Sequence, residues 1–154
     1  MKVFRRVLVP VDGSEGSERA LARAIAIAAD QHAEIHFVHV IEHTTKSSEW
    51  DEARYAMHMA GDSLLDHAVG LACGQGLLGS TAVLVIHERQ RSIAQQILLE
   101  AAVVGADLIV CGAHGKNLRT NLPLGSVADE LACRCQVSLM LEHSLPRHRC
   151  DVAA

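Results

Sequence analysis

Leu108-Ile109-Val110-Cys111 runs directly into Gly112-Ala113-His114-Gly115, and nine residues after Gly115 the chain reads Gly125-Ser126. A short apolar run that ends in glycine is a buried strand opening into a loop, and Gly-Ser ahead of an apolar-periodic segment is a helix start. Glycine lets main-chain N–H groups come close to an anion, and a helix N-terminus adds unpaired N–H donors and the positive end of its dipole. Gly112 would free the strand end, Gly115 would let a phosphate lie against main chain, and Gly125-Ser126 would aim N–H groups and a hydroxyl at the same group. Taken singly, Gly115 and Gly125 are better read as turning a long loop and Ser126 as capping a helix. The joint spacing behind a strand favours binding.

Outward from this stretch, apolar runs and helical periodicity alternate. Phe4 to Val11 reads as a first strand, followed by the turn Asp12 to Ser17 and a helix with Leu21, Ala24, Ile25 and Ala28 on one face. Ile35 to Ile41 is a second strand, and a polar connection spans Glu42 to Ser48. From Trp50 to Cys73, the positions Ala53, Met57, Ala60, Leu64, Ala68 and Leu71 recur at helical steps, with Gly61 and Gly70 weakening the pattern. Thr81 to Ile86 is a third strand. Ser92-Ile93-Ala94-Gln95 has the form of a capping box for a helix that buries Ile93, Ile97, Ala101 and Val104. Leu108 to Cys111 is strand four, Ser126 caps a short helix to about Cys133, and Val137 to Leu141 is strand five. Strands that alternate with helices predict an α/β fold, a doubly wound, Rossmann-like parallel sheet with helices on both faces, because parallel neighbours need crossovers. A ligand then sits at the carboxyl ends of the strands where the winding reverses, a site drawing on Asp12, Val40 and Gly112.

Composition narrows the function. The 154 residues suit a single domain spanning 1–143 with a flexible tail over 144–154. A net charge of −4 without a basic run, and only one Trp, one Tyr and two Phe, offers nucleic acid neither an electrostatic footprint nor stacking surfaces. No apolar stretch is long enough to span a membrane and no signal-peptide pattern opens the chain, so a cytoplasmic location is expected. Five cysteines lack C-x-x-C or zinc-ligand spacing and read as small apolar residues, and the ten histidines show no metal-binding pattern. Neither G-x-x-x-x-G-K-[ST] nor G-x-G-x-x-G follows strand one.

Cys111 to Asp129, with its G-x2-G-x9-G-[ST] spacing, closely resembles the ATP-binding signature of the universal stress protein family. Val7 to Glu15 and Val38-His39-Val40 resemble the family's first strand and turn and its second strand, so that the likeness extends from Lys2 to Leu141. It implies strand order 3-2-1-4-5 and an adenine nucleotide, ATP or else ADP or AMP, between strands one and four. Carried over by position, Pro10, Val11 and Val40 flank the adenine, Asp12 holds ribose or a metal-bridged phosphate, and Cys111, Gly112, Gly115, Gly125, Ser126 and Val127 surround ribose and phosphates. His114 and Lys116 add charge near the phosphates, although a solvated Lys116 fits as well, and Asp12 before Gly13 also suits a plain turn start. Mg2+ or Mn2+ would arrive with the nucleotide. Glycine that often enters the loop after strand three is replaced by His87 to Arg91, and the proline common before strand five by Gln136.

The resemblance also implies a homodimer through the fifth strand, Val137 to Leu141, an apolar edge open to pairing. Three activities stay open: a nucleotide-binding regulator of stress tolerance, a slow ATPase using Asp12 with a divalent ion, and a dimeric scaffold with an empty site. No residue is clearly a general base, so a dedicated enzyme is not expected.

Overall fold

A computed structural model describes residues 1–43, 52–87, 91–116 and 122–144. Five parallel strands lie in the order β3-β2-β1-β4-β5, as expected: β1 Arg6–Pro10, β2 Glu34–His43, β3 Gly79–His87, β4 Leu108–Gly112 and β5 Ser138–Glu142. Helices α1 Glu15–Gln31 and α2 Glu52–Gly74 cover one face, and α3 Ile93–Val104 and α4 Ser126–Arg134 cover the other. The strand sequences dictate this arrangement. In β1, Val7 and Val9 pack toward α1 and α2 while Leu8 packs toward α3 and α4; in β4, Leu108 and Val110 face the first pair and Ile109 and Cys111 the second. A strand buried on both faces is a continuous apolar run, and only a central parallel strand needs one.

Local signals set the helix ends. Ser14 caps α1 by accepting the Ser17 N–H at 3.2 Å. Ser92 and Gln95 form the expected capping box of α3 through reciprocal bonds of 3.1 and 3.0 Å. The expected buried face of α1 is found, with Leu21, Ala24, Ile25 and Ala28 all in the core.

Of the expected apolar face of α2, Ala68 alone is fully buried. Ala53, Met57, Ala60 and Leu71 are exposed, Leu64 is half-buried, and the buried positions are Gly61, Leu65, Ala68 and Ala72. The cause is Gly61: a Cβ there would stand 2.6 Å from His39 Cδ2, so the helix rests its glycine on the imidazole of β2 and turns the adjacent apolar stripe outward. Strand ends also differ. β1 stops at Pro10, two residues before Asp12, and β2 runs past Val40 to His43. Trp50, most of the Glu42 to Ser48 connection, part of His87 to Arg91, and the tail from 145 onward lie outside the described residues. Among the described residues, no helix is long and apolar enough to cross a membrane.

Candidate functional site

The winding reverses between β1 and β4, and there the carboxyl ends of the strands part to leave a cavity of about 250 Å³. The residues singled out in the sequence, Pro10, Val11, Asp12, Val40, Cys111, Gly112, His114, Gly115, Lys116, Gly125, Ser126 and Val127, all line it. The structure brings them together from β1, β2, β4 and the start of α4 although they are far apart in the chain.

Each glycine of the signature has a different neighbour. Gly112 does not simply free the strand end: a Cβ there would stand 2.7 Å from the Gly16 carbonyl carbon and 2.9 Å from the Ser17 nitrogen, so its bareness lets the first turn of α1 cross β4 main chain to main chain. Gly125 closes the loop, donating its N–H to the Ala113 carbonyl at 2.7 Å, and a Cβ there would crowd Ala113 O and His114 Cα at 3.3 Å. Gly115 is exposed and, among the described residues, meets only Asp12 Oδ2, at 3.3 Å from where a Cβ would stand. None of the three has a positive φ, in contrast to Gly13 at φ 78 in the turn after β1. Close approach, not left-handed backbone, is what these positions demand.

Ser126 is the first residue of α4 rather than its cap. The N-cap is Gly125, which has no side chain to offer, and among the described residues no side-chain bond closes this helix start. The serine-capped starts of α1 and α3 satisfy part of their own first-turn donors; the first turn of α4 keeps its N–H groups for the cavity that Gly125, Ser126 and Val127 line.

Asp12 serves the turn and still faces the cavity. Its Oδ1 accepts the Ser14 N–H at 2.8 Å and its own N–H donates to Ser17 Oγ at 3.1 Å, the turn-starting role anticipated as an alternative. Its Oδ2 lies on the Gly115 side. Burial, reinforced by this carboxylate, pushes the Cys111 thiol up from 9.0 to about 12, so Cys111 lines the cavity as a neutral group. His114 braces the loop: its Nε2 lies 2.9 Å from the Leu122 carbonyl and donates to it, which engages that nitrogen away from any anion. Lys116 is exposed beside Gly13.

Sequence reasoning did not place Ser14, Ser17, Val38, His39, Ile93, Ile97, Ala113 or Ala128 on this wall. Ile93 and Ile97 had a visible helical period but were read only as core. His39 carried no local signal; its Nδ1 donates to the Val11 carbonyl at 2.7 Å and fixes the end of β1 against β2.

Fold and cavity define a doubly wound α/β protein with a ligand-sized crevice at its switch point. The universal stress protein family model matches residues 4–142, and the chain belongs to that family. It is 30% identical over 142 residues to universal stress protein YxiE of Bacillus subtilis, covering 84% of this chain and 93% of that one. A crystal structure of a family protein from Burkholderia pseudomallei superposes with a TM-score of 0.70 at 25% identity, over 88% of this chain and 93% of the other. A universal stress protein solved in complex with cAMP superposes with a TM-score of 0.65 at 25% identity, over 92% and 98% of the two chains.

Proposed function

We propose that the crevice binds an adenine nucleotide, ATP or its shorter forms ADP and AMP, and that the chain acts as a nucleotide-dependent regulator in the stress response. The observation that carries this reading is the uncapped first turn of α4, opening on the cavity beside Gly115. Phosphate oxygens placed there accept the N–H groups of Ser126 and Val127 and the Ser126 hydroxyl, with the helix dipole in their favour. The other end of the cavity suits a base. The β1–β2 ladder ends at Pro10 and Val38, and the Val11 N–H still reaches the Val38 carbonyl at 2.8 Å. Val40, two residues on, turns its N–H and C=O to the same side, where β1 has ended. One donor and one acceptor on a single residue match the adjacent acceptor and donor on the edge of adenine, between the apolar walls of Pro10, Ile93 and Ile97. The relative bound to cAMP supports the same ligand class.

Among the described residues, no group of three or more His, Cys, Asp or Glu is placed to hold a metal ion. Mg2+ or Mn2+ would come with the polyphosphate, and Asp12 Oδ2, which faces the Gly115 side of the cavity, would offer it one oxygen. Two copies pair through β5, whose outer edge has no strand beyond it in the sheet among the described residues.

Heat-denatured purified protein should release an adenine nucleotide into the supernatant, and stripped protein should give saturable heat on titration with ATP. A chain that releases none and gives no heat with ATP or AMP, with or without Mg2+, refutes the reading.

A further inference from the structure

At the opposite end of the sheet, residues 36, 80 and 100 meet. His36 of β2 sits directly across from Ser80 of β3, and its Nδ1 lies 2.7 Å from Ser80 Oγ. Its Nε2 lies 2.9 Å from Glu100 Oε1 of α3. The imidazole is only 8% exposed and the Glu100 side chain 17%, while Ser80 is open to solvent. Because a carboxylate only accepts, the neutral imidazole facing Glu100 keeps its proton on Nε2 and offers the Nδ1 lone pair to the Ser80 hydroxyl. A nucleophile within hydrogen-bond reach of a base that a third group orients is the arrangement that activates serine, and it is recognised by geometry rather than chain order. His36 and Ser80 line a second cavity, of about 270 Å³, together with Arg6, Glu34, Val103 and Val104.

We propose that Ser80, His36 and Glu100 form an acyl-transfer site for short-chain carboxylic esters, independent of the nucleotide crevice. Val103 and Val104 give the wall apolar surface for an acyl chain. The carboxylate of Glu34, held by Arg6 at 2.5 Å, disfavours a dianionic phosphoryl donor. Ser80 Oγ attacks the ester carbonyl carbon, an Oγ–C bond forms, and the hydroxyl proton passes to His36 Nδ1 while Glu100 holds the resulting imidazolium. The tetrahedral intermediate collapses with loss of the alcohol, which takes that proton and leaves acyl-Ser80. Water, deprotonated by the same nitrogen, adds to the acyl carbon and returns acid and free serine.

The test is labelling of the full-length protein with a fluorophosphonate, located by peptide mass spectrometry, alongside hydrolysis of p-nitrophenyl acetate. The expected result is an adduct at Ser80 that forms much faster than at exposed Ser63, is absent in Ser80→Ala, and forms at least about 100-fold more slowly in His36→Gln. Because His36 is buried, Glu100→Gln provides a second arm and should slow labelling by about 10-fold or more while leaving the fold intact by circular dichroism. No preference for Ser80 over Ser63 in the folded wild type, or wild-type labelling rates in either folded relay variant, overturns the proposal.

Discussion

Replacing Gly112 with alanine adds one methyl group where main chain already stands. The new Cβ would lie 2.7 Å from the Gly16 carbonyl carbon and 2.9 Å from the Ser17 nitrogen, so α1 must move off β4 because no flexible side chain can yield. Overpacking of this kind costs about 1–3 kcal/mol. An opposing gain of about 0.4–1 kcal/mol comes from stiffening the unfolded chain, since Gly112 does not need a positive φ. The net expectation is a loss of about 1–2 kcal/mol, which for a chain of this size lowers the midpoint of thermal unfolding by about 2–8 °C. Gly115→Ala is the control. Among the described residues its Cβ meets only Asp12 Oδ2, at 3.3 Å in an exposed loop, so stability should stay within about 0.5 kcal/mol of wild type. Scanning calorimetry of both variants without nucleotide separates the two. A Gly112→Ala protein as stable as wild type would refute the claim that this glycine serves the crossing of α1 over β4.

Ser126→Glu should stabilise α4 by about 0.3–1 kcal/mol through the helix dipole and yet weaken ATP binding at least about tenfold, because it places a negative charge where the phosphates belong; equal or tighter binding by calorimetry contradicts the phosphate placement. With its thiol raised to about 12 in the folded state against 9.0 ordinarily, Cys111 contributes stability that is complete below pH 9 and is lost as pH climbs from 9 toward 12. The unfolded state binds fewer protons in that window, so denaturant titrations should show stability falling by up to about 1.4 kcal/mol per pH unit, a slope reduced in Cys111→Ala. At pH 8 an alkylating reagent should modify exposed Cys73 and Cys133 well before Cys111. Sedimentation at micromolar concentration should give twice the 16.6 kDa chain mass, and a species of that single mass would remove β5 pairing from the account.

The doubly wound parallel sheet was readable because each strand is an apolar run between helical periods and right-handed crossovers leave few alternatives, while the particular strand order was what the likeness to the universal stress protein family implied. The cavity was readable for the same reason: a doubly wound sheet puts its ligand crevice at the switch point, and the glycine spacing marks which loop reaches it. The face of α2 was not. Met57 and Leu71 are apolar and periodic, whereas the residue that decides the packing, Gly61, matters for the atoms it lacks. Ser126 was misread as a cap because a serine one residue past the cap looks identical in sequence. The reason for Gly112, the contact of His39 with Val11, and the meeting of His36 with Ser80 and Glu100 all depend on strands and helices brought together from distant parts of the chain. No local spacing encodes them.

The most direct test of the central claim is a crystal structure of the protein grown with ATP. Phosphate oxygens are expected within about 3 Å of the Ser126 and Val127 nitrogens, with the adenine edge on the Val40 main chain. A nucleotide bound elsewhere, or one whose phosphates avoid the start of α4, would contradict it.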